Sequence, residues 1–267
     1  MSSSALLREV EVQGRTLPYM LSLADQPTGA PLLLRFHGWG GNVPPQDLSL
    51  TSTGRAGWNI LAPFDRYGWN RQGCWWLGED GNFFMLDLID AMLNTVRSEF
   101  DLRGQLYTYG SSMGGFGAAL HGFRHRCPVI VLNVPQTKIT GNNYGTYHAP
   151  KLAPIFGEAF AKINDPSKYE GYREARLLSD VGAYLLELPQ DYRPTIYIFQ
   201  TRFDPSDNDK EHANMYLRAQ TLSFVDTLVS RNVPFELYVE NKKAHYVRWS
   251  WLDAIDMIEQ TLEDSFE

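Results

Sequence analysis

The chain is predicted to form a single α/β domain, with a mostly parallel central sheet flanked by helices and a small lid inserted at 135–190. Three observations carry this. Short, nearly continuous apolar runs recur at Pro31 to Phe36 (PLLLRF), Trp58 to Pro63 (WNILAP), Pro128 to Val134 (PVIVLNV) and Thr195 to Phe199 (TIYIF). Runs of this length suit parallel strands covered on both faces. Stretches with apolar residues at helical spacing lie between or after several of them. Within 267 residues there is no repeat period and no low-complexity linker, so one domain over 1–267 is expected.

The elements follow in order. Val10 to Arg15 and Leu17 to Leu23, parted by Gly14, suggest an N-terminal antiparallel pair. The PLLLRF strand empties into His37-Gly38-Trp39-Gly40-Gly41-Asn42. After WNILAP comes a long loop, Phe64 to Gly81, carrying Trp69, Trp75 and Trp76 beside Arg66, Arg71, Glu79 and Asp80. Asn82 is the expected N-cap of a helix reaching Phe100, with Leu86, Ile89, Met92, Leu93 and Val96 on its apolar stripe. From Pro135 to Gln190 the rhythm of strands and helices is lost, and this segment is read as the lid. Glu211 to Ser230 is expected to be a helix, Phe235 to Val239 the last strand, and Trp249 to Leu262 the last helix.

The informative stretch is Gln105 to His121, QLYTYGSSMGGFGAALH. An apolar strand runs into Gly110-Ser111-Ser112-Met113-Gly114, a G-x-S-x-G pattern centred on Ser112, and helical periodicity resumes through Phe116, Leu120 and Phe123. Strand, sharp turn and helix would raise the Ser112 hydroxyl clear of the sheet as a nucleophile, while small residues at 110 and 114 let the two elements approach. Ser111 holds the variable position and is expected to point away. The Met113 N–H, at the helix N-terminus, and the Trp39 N–H, in the HG loop, are the candidate donors of an oxyanion hole.

A serine hydroxyl needs a base, and the base an orienting carboxylate. His245, between the last strand and last helix, is the candidate base; His37, His121, His125, His148 and His212 fit less well. Asp204, just past the TIYIF strand, is the candidate acid, with Asp207 in reserve. Trp75 and Trp76 are candidate substrate-binding rings, because loops leaving the carboxyl ends of such strands line the ligand crevice.

Composition narrows the function classes. Lys and Arg number 24 against 31 Asp and Glu, a net charge of −7 without a basic cluster, which argues against a nucleic-acid partner. No run nears the roughly 20 apolar residues of a spanning helix, and MSSSALLREVEVQGR lacks a basic start with an apolar stretch, so a cytoplasmic protein without membrane association is expected. Two cysteines, Cys74 and Cys127, make no disulfide framework, and no metal-ligand spacing or cofactor motif occurs; no metal or cofactor is expected.

The order Ser112, Asp204, His245 is that of the α/β-hydrolases. The chain resembles that superfamily, and within it the bacterial esterase and prolyl-oligopeptidase-like group. That group pairs a strand-HG-x-G-G loop with a stretch like FDLRGQLYTYGSSMGGFGAAL. The likeness is strongest over Leu32 to Asn42 and Asp80 to Ala119. It implies the α/β-hydrolase fold and a serine esterase acting through a Ser112-His245-Asp204 acyl-enzyme on a small-molecule or glycan ester, such as an acyl ester of a sugar or aromatic acid. A peptidase or amidase of the same fold, and a catalytically silent carbohydrate-binding or assembly module, are the rival readings. The likeness says little about 135–190.

Overall fold

The computed structural model describes residues 5–40, 55–139, 145–159, 172–204, 216–245, 247 and 249–264, with backbone alone at 145–149, 159 and 264. Among the described residues, eight strands form one sheet in the order β1-β2-β4-β3-β5-β6-β7-β8. They are β1 Leu6–Val12, β2 Arg15–Ser22, β3 Leu32–Phe36, β4 Asn59–Pro63, β5 Leu106–Ser111, β6 Val129–Asn133, β7 Thr195–Phe203 and β8 Phe235–Lys243. β1 pairs with β2, and β2 with β4, antiparallel; every other pairing is parallel. The first hairpin turns at Gln13 and Gly14, with φ of 52° and 77°. Two positive φ values match the twist of a tight hairpin, so the first strand ends at Val12 rather than at Arg15.

The helices are α1 Met85–Phe100, α2 Met113–Arg124, α3 Gly145–Phe156, α4 Arg173–Leu178, α5 Val181–Glu187, α6 Ser223–Ser230 and α7 Trp251–Asp264. Alternate residues of the central strands feed two cores. Leu32, Leu34, Phe36, Ile130, Leu132, Ile196 and Ile198 pack with α1, α2, α5 and α6. Leu33, Tyr107, Tyr109, Val129, Val131, Tyr197 and Phe199 face Ala254, Ile255 and Ile258 of α7. A strand buried on both faces can be apolar at every position, which is why these runs read without alternation.

Two helix starts differ in how they are capped. Ser250 and Asp253 exchange reciprocal bonds at the start of α7, the Asp253 carboxylate accepting the Ser250 N–H at 2.5 Å and the Ser250 hydroxyl accepting the Asp253 N–H at 3.4 Å. Asn82 caps nothing: it bridges Glu79 across a tight turn, and α1 starts after Phe84 with no side-chain cap. Within 135–190, α5 is capped by Asp180 and packs against α2 and α6, so its back half lies on the body of the sheet. Only Tyr216–Leu222, as a π-helix, and α6 are described of the helix expected from 211.

β7 and β8 each run nine residues, and their pairing continues to Phe203 and Lys243 past an irregularity between Thr201 and Phe203. The Thr201 hydroxyl donates to the Ala244 carbonyl at 2.6 Å, and the Ala244 N–H donates to the Phe203 carbonyl at 3.1 Å. This two-stranded ribbon outruns its expected ends at Phe199 and Val239. It carries Asp204 at one tip and His245 at the other.

Candidate active site

Ser112 stands between β5 and α2 with φ 56° and ψ −119°. A non-glycine residue held there stores roughly 1–3 kcal/mol of strain, sustained only by a firm surround. The surround is visible: the Ser112 N–H donates to the Asn133 carbonyl at 2.9 Å, and its own carbonyl accepts from Gly115 at 2.9 Å and Gln136 at 3.2 Å. Glycine is required at both flanks. A Cβ on Gly110 would come within 1.9 Å of the Gly114 carbonyl oxygen, and one on Gly114 within 2.3 Å of that of Phe36.

His245 Nε2 lies 2.9 Å from the Ser112 hydroxyl, and its Nδ1 lies 2.5 Å from the Asp204 carboxylate. Asp204 is 5% exposed, and its side chain is withdrawn from water while the imidazole keeps one accessible side. The carboxylate therefore accepts the Nδ1 proton, which leaves Nε2 as acceptor toward the serine. Asp207 and His212 lie outside the described residues, and His148 falls in the part of α3 described by backbone alone.

The HG loop is held by a device that the sequence does not disclose. The Asp65 N–H donates to His37 Nε2 at 2.9 Å, so the proton of this imidazole sits on Nδ1, which donates to the Gly38 carbonyl at 2.6 Å. Gly38 C=O and Trp39 N–H belong to one trans peptide and point in opposite directions. Anchoring that carbonyl aims the Trp39 N–H away from His37, and it has no backbone acceptor among the described residues. Burial pushes the His37 pKa down, consistent with the neutral form that both contacts require. The Met113 N–H belongs to the first turn of α2, where no intrahelical acceptor exists and no side chain caps the end.

Trp75 and Trp76 are not binding rings. They are 1% and 0% exposed, within the buried run Cys74 to Leu77. The Asp65 carboxylate draws their loop inward by accepting the N–H groups of Cys74 at 2.7 Å and Trp76 at 3.1 Å. Trp76 then packs edge-on against Phe36 and His37, each at 4.8 Å, and the Trp75 indole N–H donates to Gln136. Trp69 is the more exposed ring of the loop, at 36%, and stacks on Trp39 at 6.1 Å; the Lys151 ammonium lies over Trp39 at 3.9 Å.

Among the described residues no three His, Cys, Asp or Glu side chains converge as metal ligands, and no helix is long and apolar enough to cross a membrane. No protein-family model and no curated protein matches the chain at a significant level. Solved structures do. An S-formylglutathione hydrolase from Agrobacterium tumefaciens is 13% identical, over 97% of this chain and 92% of that one, with a TM-score of 0.64. An arylesterase is 13% identical over 99% and 85%, with a TM-score of 0.61. Porphyromonas gingivalis dipeptidyl peptidase 4 is 15% identical over 99% of this chain, which spans only 36% of that longer one, with a TM-score of 0.63. At such identities the likeness concerns architecture, and the architecture of this chain is the α/β-hydrolase fold.

Proposed function

We propose that the protein is a serine esterase that cleaves carboxylic esters of small molecules through an acyl-enzyme. What supports the reading is one arrangement: a hydroxyl on a strained turn, 2.9 Å from an imidazole nitrogen whose ring partner is a buried carboxylate 2.5 Å away. In this reading the Ser112 oxygen attacks the acyl carbon as its proton passes to His245 Nε2. The Asp204 carboxylate stabilises the imidazolium, and the charge on the former carbonyl oxygen is met by the N–H groups of Trp39 and Met113. The imidazolium then protonates the departing alcohol. Water, deprotonated by the same nitrogen, releases the acid and restores the serine. Of 135–190, α3 is the part we assign as a cap over this crevice, since its Lys151 lies over Trp39 at 3.9 Å. With Trp75 and Trp76 buried, stacking gives no support to a sugar or aromatic acyl group, and the substrate is defined only as an ester.

A fluorophosphonate should label the wild type and leave Ser112→Ala unlabelled, and p-nitrophenyl acetate should be hydrolysed faster than a peptide anilide. Absence of labelling together with absence of turnover on short-chain and aromatic esters would overturn the proposal; preference for the anilide would make it a peptidase.

A further inference from the structure

We infer that Tyr216 is a positioning residue that fixes the plane of the His245 imidazole, registered to Ser112 through Gln136. This rests on the esterase reading and adds to it a component outside the three reacting side chains.

The two hydrogen bonds of His245 leave one freedom. Bonds at Nδ1 and Nε2 constrain the line joining those atoms, while the ring can still swing about that line. The loop that carries it follows an edge strand, and the side chain is 31% exposed. A third contact is needed to set the plane, and Tyr216 supplies it. Its ring meets the imidazole edge-on at a centroid distance of 5.0 Å and an interplanar angle of 72°. Tyr216 is itself 1% exposed, so it is a firm backing.

Tyr216 is tied in turn to the nucleophile. An indole N–H can only donate, so the Gln136 amide turns its oxygen to Trp75 and its NH2 group to Tyr216, whose hydroxyl accepts at 2.7 Å. The backbone N–H of the same Gln136 donates to the Ser112 carbonyl at 3.2 Å. One buried residue thus contacts the nucleophile by its main chain and the backing of the base by its side chain. The helix bearing Tyr216 is fastened to the same segment. Gln220 Oε1 accepts the N–H groups of Thr137 at 2.7 Å and Lys138 at 2.8 Å, and its Nε2 donates to the Lys138 carbonyl at 2.8 Å. Residues 136–138 are therefore a common reference for serine and histidine. The helix is of the π type, an uncommon form found often at functional sites.

The test compares Tyr216→Leu, Tyr216→Phe and Gln136→Met with the wild type. Turnover of p-nitrophenyl acetate is expressed per active site titrated with phosphonate, and kcat and KM are measured separately. Misplacing a base by an ångström costs up to about 100-fold, so Tyr216→Leu should lose roughly 10- to 100-fold in kcat with KM within about 2-fold. Tyr216→Phe keeps the ring but loses the bond to Gln136, and should recover only part of kcat, staying about 3- to 10-fold below the wild type. Should Tyr216→Leu fail to fold, Gln136→Met, which leaves the ring but frees its hydroxyl, should lose about 3- to 10-fold by the same effect. Wild-type kcat per titrated site, whatever the change in melting temperature, would make Tyr216 mere packing and overturn the inference. A wild type that neither hydrolyses esters nor takes the phosphonate would instead sink the esterase reading, before any variant is compared.

Discussion

Replacing His121 by phenylalanine should remove much of the acid sensitivity of the fold. His121 lies on α2, is fully buried, and stacks on Phe36 at 5.3 Å and on His125 at 6.4 Å. Its Nε2 meets the Trp76 carbonyl at 3.3 Å, and its Nδ1 has no partner among the described residues. Burial, reinforced by the neighbouring His125, pushes its pKa down to about 3. In the unfolded chain the same imidazole takes up a proton near 6.5, so between these values the unfolded state binds the extra proton. Stability from this residue is therefore fully present above about pH 6.5 and drains away as pH falls toward 3, at up to about 1.4 kcal/mol per pH unit. From pH 7.5 to 4.5 the loss is about 2.7 kcal/mol. Urea unfolding of both proteins at pH 7.5 and 4.5 reads this directly. The wild type should lose roughly 2–3 kcal/mol more than His121→Phe over that interval. Other titrating groups, His37 and Asp65 among them, are common to both proteins and cancel in the difference. Parallel pH dependences would refute the buried neutral imidazole as the source.

Two further outcomes follow from the site. Gln220→Leu leaves two N–H groups and a carbonyl of Thr137 and Lys138 without partners and should cost about 2–4 kcal/mol in chemical denaturation, a loss below about 1 kcal/mol being inconsistent with the bonds described. His37→Leu frees the Gly38 carbonyl, so the Trp39 N–H loses its aim; kcat on p-nitrophenyl acetate should fall by up to roughly 100-fold with KM little changed. Unchanged kcat in that variant would show that the loop is held by other means.

What the sequence disclosed was local, and what it hid was long-range. The strands β3, β4, β5 and β6 were legible because burial on both faces makes each an apolar run. The turn at Ser112 was legible because two glycines and a serine at fixed spacing have one geometric reason. Asp204 and His245 could be nominated as residues past strand ends, but their approach depends on β7 and β8 pairing through the polar stretches Gln200 to Phe203 and Glu240 to Lys243. Backbone bonds and the Thr201 hydroxyl drive that extension, and neither shows in hydropathy. The loop of Trp75 and Trp76 leaves the carboxyl end of a strand, where the crevice of such sheets lies, and that position alone points to binding rings. Cys74-Trp75-Trp76-Leu77 is itself an apolar run, and Asp65, nine residues earlier, turns it inward with a buried carboxylate. The roles of His37, Gln136 and Tyr216 arise from contacts between segments far apart in the chain, for which no spacing rule exists.

The ribbon of β7 and β8 has a mechanical consequence. Carboxylate and imidazole ride on neighbouring tips of one twisted pair, whereas the hydroxyl is rooted two strands away at the top of β5. A bend of the pair would carry acid and base together, leaving their mutual bond nearly constant while altering the gap to the serine. In the esterase reading, the distance from serine to imidazole is the one such a bend alters, and the tie from Tyr216 through Gln136 opposes it.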